Sequence, residues 1–241
     1  MTVLDVVASL NIAPGKFAEF TQAAAEALQI CRTKDTGTLA YEWFVNDAQT
    51  ECFVLESYAG AEGLLAHVGN AQPVGSKIMQ AVSATSVNGY GEATPELVQA
   101  LQGAIKFMPR LQGLPNAVRR ASDQPSTTIR AVARFKIQPG QGDEFKRYAA
   151  ECLQAAVSLD HGTLAYEWFM SQDGSECVVL EAYKDGSALL EHSKNGGRHV
   201  GKLLKLSEVS LNMFADPIPE VLAVLKAMPV KLFKRLQGLG N

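Results

Sequence analysis

Cysteine is scarce in these 241 residues: Cys31, Cys52, Cys152 and Cys177 are the only four, and no two form a Cys-x-x-Cys pair. Cys52 and Cys177 lie inside apolar runs, so the four read as buried structural thiols rather than a disulfide framework. The chain also lacks Gly-x-Gly-x-x-Gly, Gly-x-x-x-x-Gly-Lys-Ser/Thr and Gly-x-Ser-x-Gly, the markers of nucleotide phosphate binding and serine-hydrolase chemistry. Charge of one sign is nowhere concentrated. Twenty-two basic residues face 25 acidic ones for a net charge of −3, and the largest basic cluster is Arg119-Arg120, so no nucleic-acid partner is expected. No stretch approaches the roughly 18 uninterrupted apolar residues of a membrane span. The start carries Asp5 and no basic segment, so no secretory leader is expected and the chain reads as a cytoplasmic protein without a membrane partner. His192 and His199 could share a helix face, but Gly196-Gly197 between them reads as a helix interruption, and His199 is placed in a loop. No metal site is expected.

What the sequence does have is a repeat. Gly37-Thr-Leu-Ala-Tyr-Glu-Trp-Phe44 recurs intact as Gly162-Thr-Leu-Ala-Tyr-Glu-Trp-Phe169. At the same spacing Pro14-Gly15 matches Pro139-Gly140, Leu55-Glu56 matches Leu180-Glu181, Tyr58 matches Tyr183, His67 matches His192, and Arg110-Leu-Gln-Gly-Leu114 matches Arg235-Leu-Gln-Gly-Leu239. A period this long is a duplicated domain, since solenoid repeats run about 20 to 50 residues. The domains are read as 1–114 and 127–241, with a linker at 115–126 where Pro, Asn, Arg, Ser, Asp and Gln replace periodic apolar residues. An apolar content of 47% suffices for packed cores and excludes a disordered chain.

Within each copy the periodicity alternates. Val3 to Ile12 is rich in β-branched residues and reads as a strand. Phe17, Phe20, Ala24, Leu28 and Cys31 then recur every three or four residues, the stripe of an amphipathic helix. Thr38 to Val45 and Glu51 to Tyr58 form a hairpin, Leu64, Leu65 and Val68 mark a second helix, and a last strand lies near Ala84 to Gly91. The order β-α-β-β-α-β is that of the α+β ferredoxin-like sandwich, whose helices cover one sheet face. Two copies in one chain are expected to hide their remaining faces sheet to sheet, as an internal pseudo-dimer. Short helices are expected at Pro95 to Gly103 and Pro217 to Ala227, each followed by an Arg-Leu-Gln-Gly-Leu tail that crosses between copies. The chain is expected to be a monomer with this internal pairing or a homodimer.

At Tyr41-Glu-Trp-Phe44, Leu55-Glu56-Ser57-Tyr58 and Leu64-Leu65-Ala66-His67, and again in the second copy, the sequence resembles the antibiotic biosynthesis monooxygenase (ABM) family of the dimeric α/β barrel superfamily. The resemblance implies the fold just read, usually made by two chains. It also implies a monooxygenase, an oxidoreductase that oxidises a phenolic, quinol or polycyclic aromatic substrate with dioxygen and without a cofactor. The haem-degrading relatives use an Asn on the first strand, where Ser9 and Arg134 stand here, and a Trp where Tyr58 and Tyr183 stand, so haem degradation is disfavoured. The alternatives are a non-catalytic small-ligand-binding or structural barrel protein, or an acid/base cyclase or isomerase on the same fold.

Oxidation of this kind requires an apolar cavity, a group that deprotonates the phenol and exclusion of water. The candidate catalytic residues are His67, His192, Glu56 and Glu181. An imidazole can accept a phenolic proton near neutral pH, and a carboxylate facing an apolar cavity has a raised pKa. Glu42 and Glu167 qualify too, because the hairpin register decides which Glu faces the cavity. Candidate substrate-binding residues are Trp43, Trp168, Tyr41, Tyr166, Tyr58, Tyr183 and Arg134; the aromatics serve equally well as core filler.

Overall fold

The sequence periodicities become elements in the order expected. In a computed structural model that describes residues 3–118, 120–216, 218–224 and 229–240, the first repeat runs β1 (Leu4–Ile12), α1 (Phe17–Lys34), β2 (Thr38–Val45), β3 (Glu51–Tyr58), α2 (Ala61–Gln80) and β4 (Val82–Tyr90). Its tail adds α3 (Pro95–Ala100), β5 (Lys106–Met108) and β6 (Arg110–Gly113). The second repeat runs β7 (Ile129–Ile137), α4 (Gly142–Leu159), β8 (Thr163–Met170), β9 (Glu176–Tyr183), α5 (Gly186–Leu206) and β10 (Ser207–Phe214), followed by α6 (Pro219–Val224) and β11 (Val230–Gly238). The fold is α+β with two ferredoxin-like halves. Pro217 and residues 225–227, the ends of the second expected tail helix, lie outside the described residues.

The described residues fall into two units. Unit 1 draws on residues 3–108, 120–123 and 233–240, and unit 2 on 109–118, 124–216, 218–224 and 229–232. The tails are therefore exchanged. In unit 1, Lys234 to Gly238 of β11 pair with β2, giving the order β5-β4-β1-β3-β2-β11; in unit 2, β6 pairs with β8 at the end of the order β10-β7-β9-β8-β6. Arg110–Gly113 and Arg235–Gly238 of the two Arg-Leu-Gln-Gly-Leu tails are strands.

In unit 1 the α1 stripe of Phe20, Ala23, Ala24, Ala27, Leu28 and Cys31 is buried against Ala8, Leu10, Tyr41, Trp43 and Val54. In unit 2, Phe145, Ala149, Cys152 and Ala156 of α4 are buried against Ala133, Phe135, Tyr166, Trp168 and Val179. Each large side chain so buried contributes about 1.5–3 kcal/mol. All four cysteines are free thiols in these layers.

Two local features set up the site. The hairpin register pairs Tyr41 with Glu56 and Trp43 with Val54, and likewise Tyr166 with Glu181 and Trp168 with Val179. Because side chains alternate across a strand, Tyr, Trp and Glu56 or Glu181 share the helix-covered face, while Glu42 and Glu167 take the other. The second feature is a close approach: a Cβ on Gly37 would stand 2.5 Å from the Gly63 Cα, and one on Gly162 2.5 Å from the Ala188 Cβ. The end of the first helix of each repeat is thereby pressed against the first turn of the second.

One expectation is overturned here. Gly196-Gly197 do not interrupt the helix, and His199 is not in a loop: α5 is continuous from Gly186 to Leu206 and His199 is buried on it. A mid-helix glycine costs only about 1 kcal/mol relative to alanine, which the buried stripe of Leu189, His192, Gly196, His199 and Leu203 outweighs.

Candidate active site

Each repeat assembles the same polar set at the place where the helices meet. Asp160 is the C-cap of α4, with its backbone extended at φ −88° and ψ 136°, so its carboxylate turns toward α5. There His192 Nδ1 lies 2.7 Å from Asp160 Oδ2, Asn195 Nδ2 donates to Oδ1 at 2.8 Å, and Thr163 Oγ1 donates to Oδ2 at 2.8 Å. In unit 1, His67 Nδ1 lies 2.7 Å from Asp35, Asn70 donates at 2.8 Å and Thr38 at 3.1 Å. An anion at a helix C-terminus opposes the helix dipole, so these donors offset an unfavourable placement. Burial alone would raise the Asp160 carboxyl, yet the bonds from His192 and Asn195 outweigh it and hold the group below its ordinary range; Asp35 behaves likewise. With an ionised carboxylate as acceptor, Nδ1 carries the imidazole proton and Nε2 holds the free lone pair of the neutral ring.

Beside each His ring lies a Tyr–Glu pair. Tyr183 Oη donates to Glu181 Oε2 at 2.6 Å, and Tyr58 Oη to Glu56 Oε2. The His192 ring sits 4.7 Å from that of Tyr166 and 5.1 Å from that of Tyr183; His67 repeats this at 4.8 Å from Tyr41 and 5.4 Å from Tyr58. Burial pushes the carboxyls of Glu181 and Glu56 up, against the pull of the neighbouring His and Tyr. Burial likewise drives the hydroxyls of Tyr41, Tyr58, Tyr166 and Tyr183 well above the usual phenol range, so these stay neutral donors.

In unit 2 this set opens on a cavity of about 280 Å³. Its strand side includes Phe135, Tyr166 and Trp168, its helix side Gly196, Gly197 and Val200 of α5, and its polar edge Glu181, His192 and Ser193. Phe135 and Trp168 stack with ring centroids 6.2 Å apart and planes 12° apart. The Trp168 Nε1 is buried without a hydrogen-bond acceptor among the described residues.

The other candidates are placed elsewhere. Arg134 alternates with the cavity-lining Ala133 and Phe135, so it projects from the opposite face of β7, where it pairs with Glu176. Glu167 is fully buried and bound by Arg110 Nε at 2.7 Å, and Glu42 lies 3.7 Å from Arg235 Nε, so these two carboxylates tie down the tail strands. His199 has Nδ1 on Glu151 at 2.9 Å and accepts from Arg198 Nε at 2.9 Å, both outside the cavity. Sequence reasoning missed Asp35 and Asp160, with their partners Thr and Asn. The signal was present, since Asp35, Thr38 and Asn70 recur at the repeat spacing as Asp160, Thr163 and Asn195.

Cys31, Asp35 and His67 bring one ligand atom each within 4.8 Å of one another, the donor types of a zinc site. The 2.7 Å from His67 Nδ1 to Asp35 Oδ2 is a hydrogen-bond distance, shorter than two ligands of one ion tolerate at about 2.0–2.2 Å each in tetrahedral geometry. Burial, with Asp35 beside it, pushes the Cys31 thiol up to about 12, and unit 2 keeps the same Asp–His pair with Ala156 in place of Cys31. The cluster fits a hydrogen-bonded joint.

The model of the antibiotic biosynthesis monooxygenase family matches residues 4–72 and 128–200, more than half of the chain and once in each repeat. The chain belongs to the antibiotic biosynthesis monooxygenase family. At the level of fold it resembles a provisional monooxygenase of Lactobacillus acidophilus NCFM, with TM-score 0.61, 11% identity, and coverage of 88% of this chain and 92% of that one. It also resembles a provisional monooxygenase of Fusobacterium nucleatum subsp. nucleatum, with TM-score 0.65, 11% identity, and coverage of 87% and 90%. Among curated proteins no match is found. Among the described residues no helix of this ABM-family chain is long and apolar enough to cross a membrane.

Proposed function

We propose that unit 2 takes an aromatic phenol or quinol into its cavity and oxidises it with dioxygen, calling on no metal or flavin. The observation that supports this is the meeting, in one apolar cavity, of the stacked Phe135–Trp168 wall with His192 oriented by Asp160. His192 Nε2 accepts the phenolic proton, and Asp160 stabilises the imidazolium that forms. Glu181, poised by burial and held by Tyr183, is a second proton acceptor at the same edge. The apolar walls keep water from the electron-rich phenolate, which supplies the electrons itself. One oxygen atom of O2 enters a ring carbon; the other leaves as water with two substrate hydrogens, so phenol plus O2 gives quinone plus water.

Oxygen uptake by protein freed of metal and flavin, run against hydroquinones, naphthols and anthrones, tests this reading. Uptake persists in His67→Ala and drops by about 100-fold or more in His192→Ala, the ordinary worth of a general base. Folded protein with no uptake on any substrate overturns the oxygenase reading, and saturable binding in that case leaves a binder or an acid/base isomerase. Equal loss in both His variants overturns the assignment to unit 2.

A further inference from the structure

We infer that the Gly196–Gly197 step of α5 sets the size of what the unit 2 cavity admits: a flat phenol of two fused rings, seated with one face against the helix backbone. The inference rests on the ligand-binding part of the reading above and adds the size class and the residues that select it.

Volume comes first. At about 280 Å³ the cavity is small among ligand pockets, which start at about 300 Å³. It is close to twice the roughly 150 Å³ apolar cavity that holds a single benzene. By that proportion a naphthalene-sized ring system fits this space with less than one further ring to spare, whereas one ring leaves much of it empty.

The helix wall shows how that volume is kept open. Ser193, Gly196, Gly197, Val200, Gly201 and Leu204 recur at helical spacing and all line the cavity. Mid-helix glycine is destabilising by about 0.5–1 kcal/mol against alanine, so it persists where a Cβ would collide or where the space serves something else. Collision is not the reason here: a Cβ built on Gly196, Gly197 or Gly201 meets no atom within 4 Å. Gly196 is buried, so the space beside it is the cavity itself, while Gly197 lines the same cavity from an exposed position. The first repeat holds Ala71 and Gln72 at the two matching positions.

Chemistry orients the ligand in the same slot. Gly196 is one helical turn beyond His192, so a ring laid on the glycine surface brings a hydroxyl on its edge toward the imidazole. Phe135 and Trp168 face it from the strand side with their stacked rings.

The test measures binding without oxygen, using phenol, 1-naphthol and 1-anthrol as probes against the full chain, beside thermal melting. Wild type binds 1-naphthol about tenfold or more tighter than either other probe, a difference of about 1.4 kcal/mol. Gly196→Ala and Gly197→Ala each lose about tenfold or more in 1-naphthol affinity, keep their phenol affinity, and melt at or above the wild-type temperature. Variants that melt higher yet bind all three probes like wild type overturn the inference, as does wild type that binds 1-anthrol as well as 1-naphthol. Size-selective binding with no oxygen uptake in air defeats the oxygenase reading alone. Uptake with size-blind binding defeats the size filter alone, and no binding of any probe defeats both.

Discussion

The two repeats share their polar set and differ in their walls. Asp, His, Asn, Thr, Glu, Tyr and Trp stand at matching positions, with Nδ1 to carboxylate distances of 2.7 Å in both. Around them, Val6 replaces Ala131, Leu10 replaces Phe135, and Ala71-Gln72 replace Gly196-Gly197. Gly89, opposite Val6, replaces Met213, and the Phe107 ring lies 2.4 Å from where a Gly89 Cβ would stand. A joint kept in both units is first a structural clamp between helices, and the wall decides where the clamp also meets a ligand. Function in this chain is therefore sought in what differs.

The largest stability difference between the units is expected at the tail strands. Glu167 is entirely buried and bound by Arg110 Nε at 2.7 Å, whereas Arg235 Nε lies 3.7 Å from Glu42 Oε1. Truncating one partner of a buried ion pair costs about 3–5 kcal/mol. Arg110 is itself 43% exposed, so Arg110→Ala is expected to cost about 2–3 kcal/mol, after that discount for solvent, and Arg235→Ala about 1 kcal/mol. Urea unfolding of both variants checks the order; equal losses would show that the closer pair adds nothing.

A smaller and pH-dependent effect separates two carboxylates of the same cluster. Asp160 titrates below its ordinary 3.8 in the folded chain, so the stability it contributes is present above that pH and is lost as pH falls through the folded value. Glu181 titrates above its ordinary 4.5, so its contribution is present below that pH and is lost as pH rises through the folded value. Asp160→Asn is expected to cost about 1–2 kcal/mol at pH 7, and the gap closes in acid. Glu181→Gln is expected to raise stability at pH 7 by about 1 kcal/mol or less, again with no gap in acid. Melting curves of both variants from pH 3 to pH 7 decide, and a Glu181→Gln variant that is less stable at pH 7 would mean its charge is compensated. The pairs Asp35–His67 and Glu56–Tyr58 predict the same signs in unit 1.

Most of the fold was legible because it is local. Strand and helix periods at Val3–Ile12 and Phe17–Cys31, and the recurrence of Gly37–Phe44, lead to two ferredoxin-like halves without any long-range information. His67 and His192 were legible as candidates because an imidazole on an apolar helix face is chemically conspicuous. Asp35 and Asp160 were not: each is an ordinary helix-ending residue until the Gly37 and Gly162 close approaches carry it to a histidine 32 residues away. Gly196-Gly197 reads as an interruption for a related reason, since propensity speaks against a helix there and only the packed stripe around it restores one. The face of Glu56 and Glu181 waited on the hairpin register, which loops at Asn46–Thr50 and Ser171–Ser175 leave open.

The smallest expected effect concerns a charge that the second repeat carries and the first lacks. Arg134 stands where the first copy has Ser9, a difference that drew it into the substrate-binding set. In the fold its neighbours Ala133 and Phe135 take the cavity side, and its guanidinium pairs with Glu176 with both side chains about a third exposed. Solvent screens such a pair, and holding two long side chains together offsets much of the attraction. Arg134→Ser, which makes the second repeat like the first, is therefore expected to change stability by less than about 0.5 kcal/mol and to leave 1-naphthol affinity and oxygen uptake as they are. A loss of about tenfold in affinity would mean that charge reaches the ligand through the sheet or from its edge. The comparison between repeats would then have to extend from the cavity walls to the opposite sheet face.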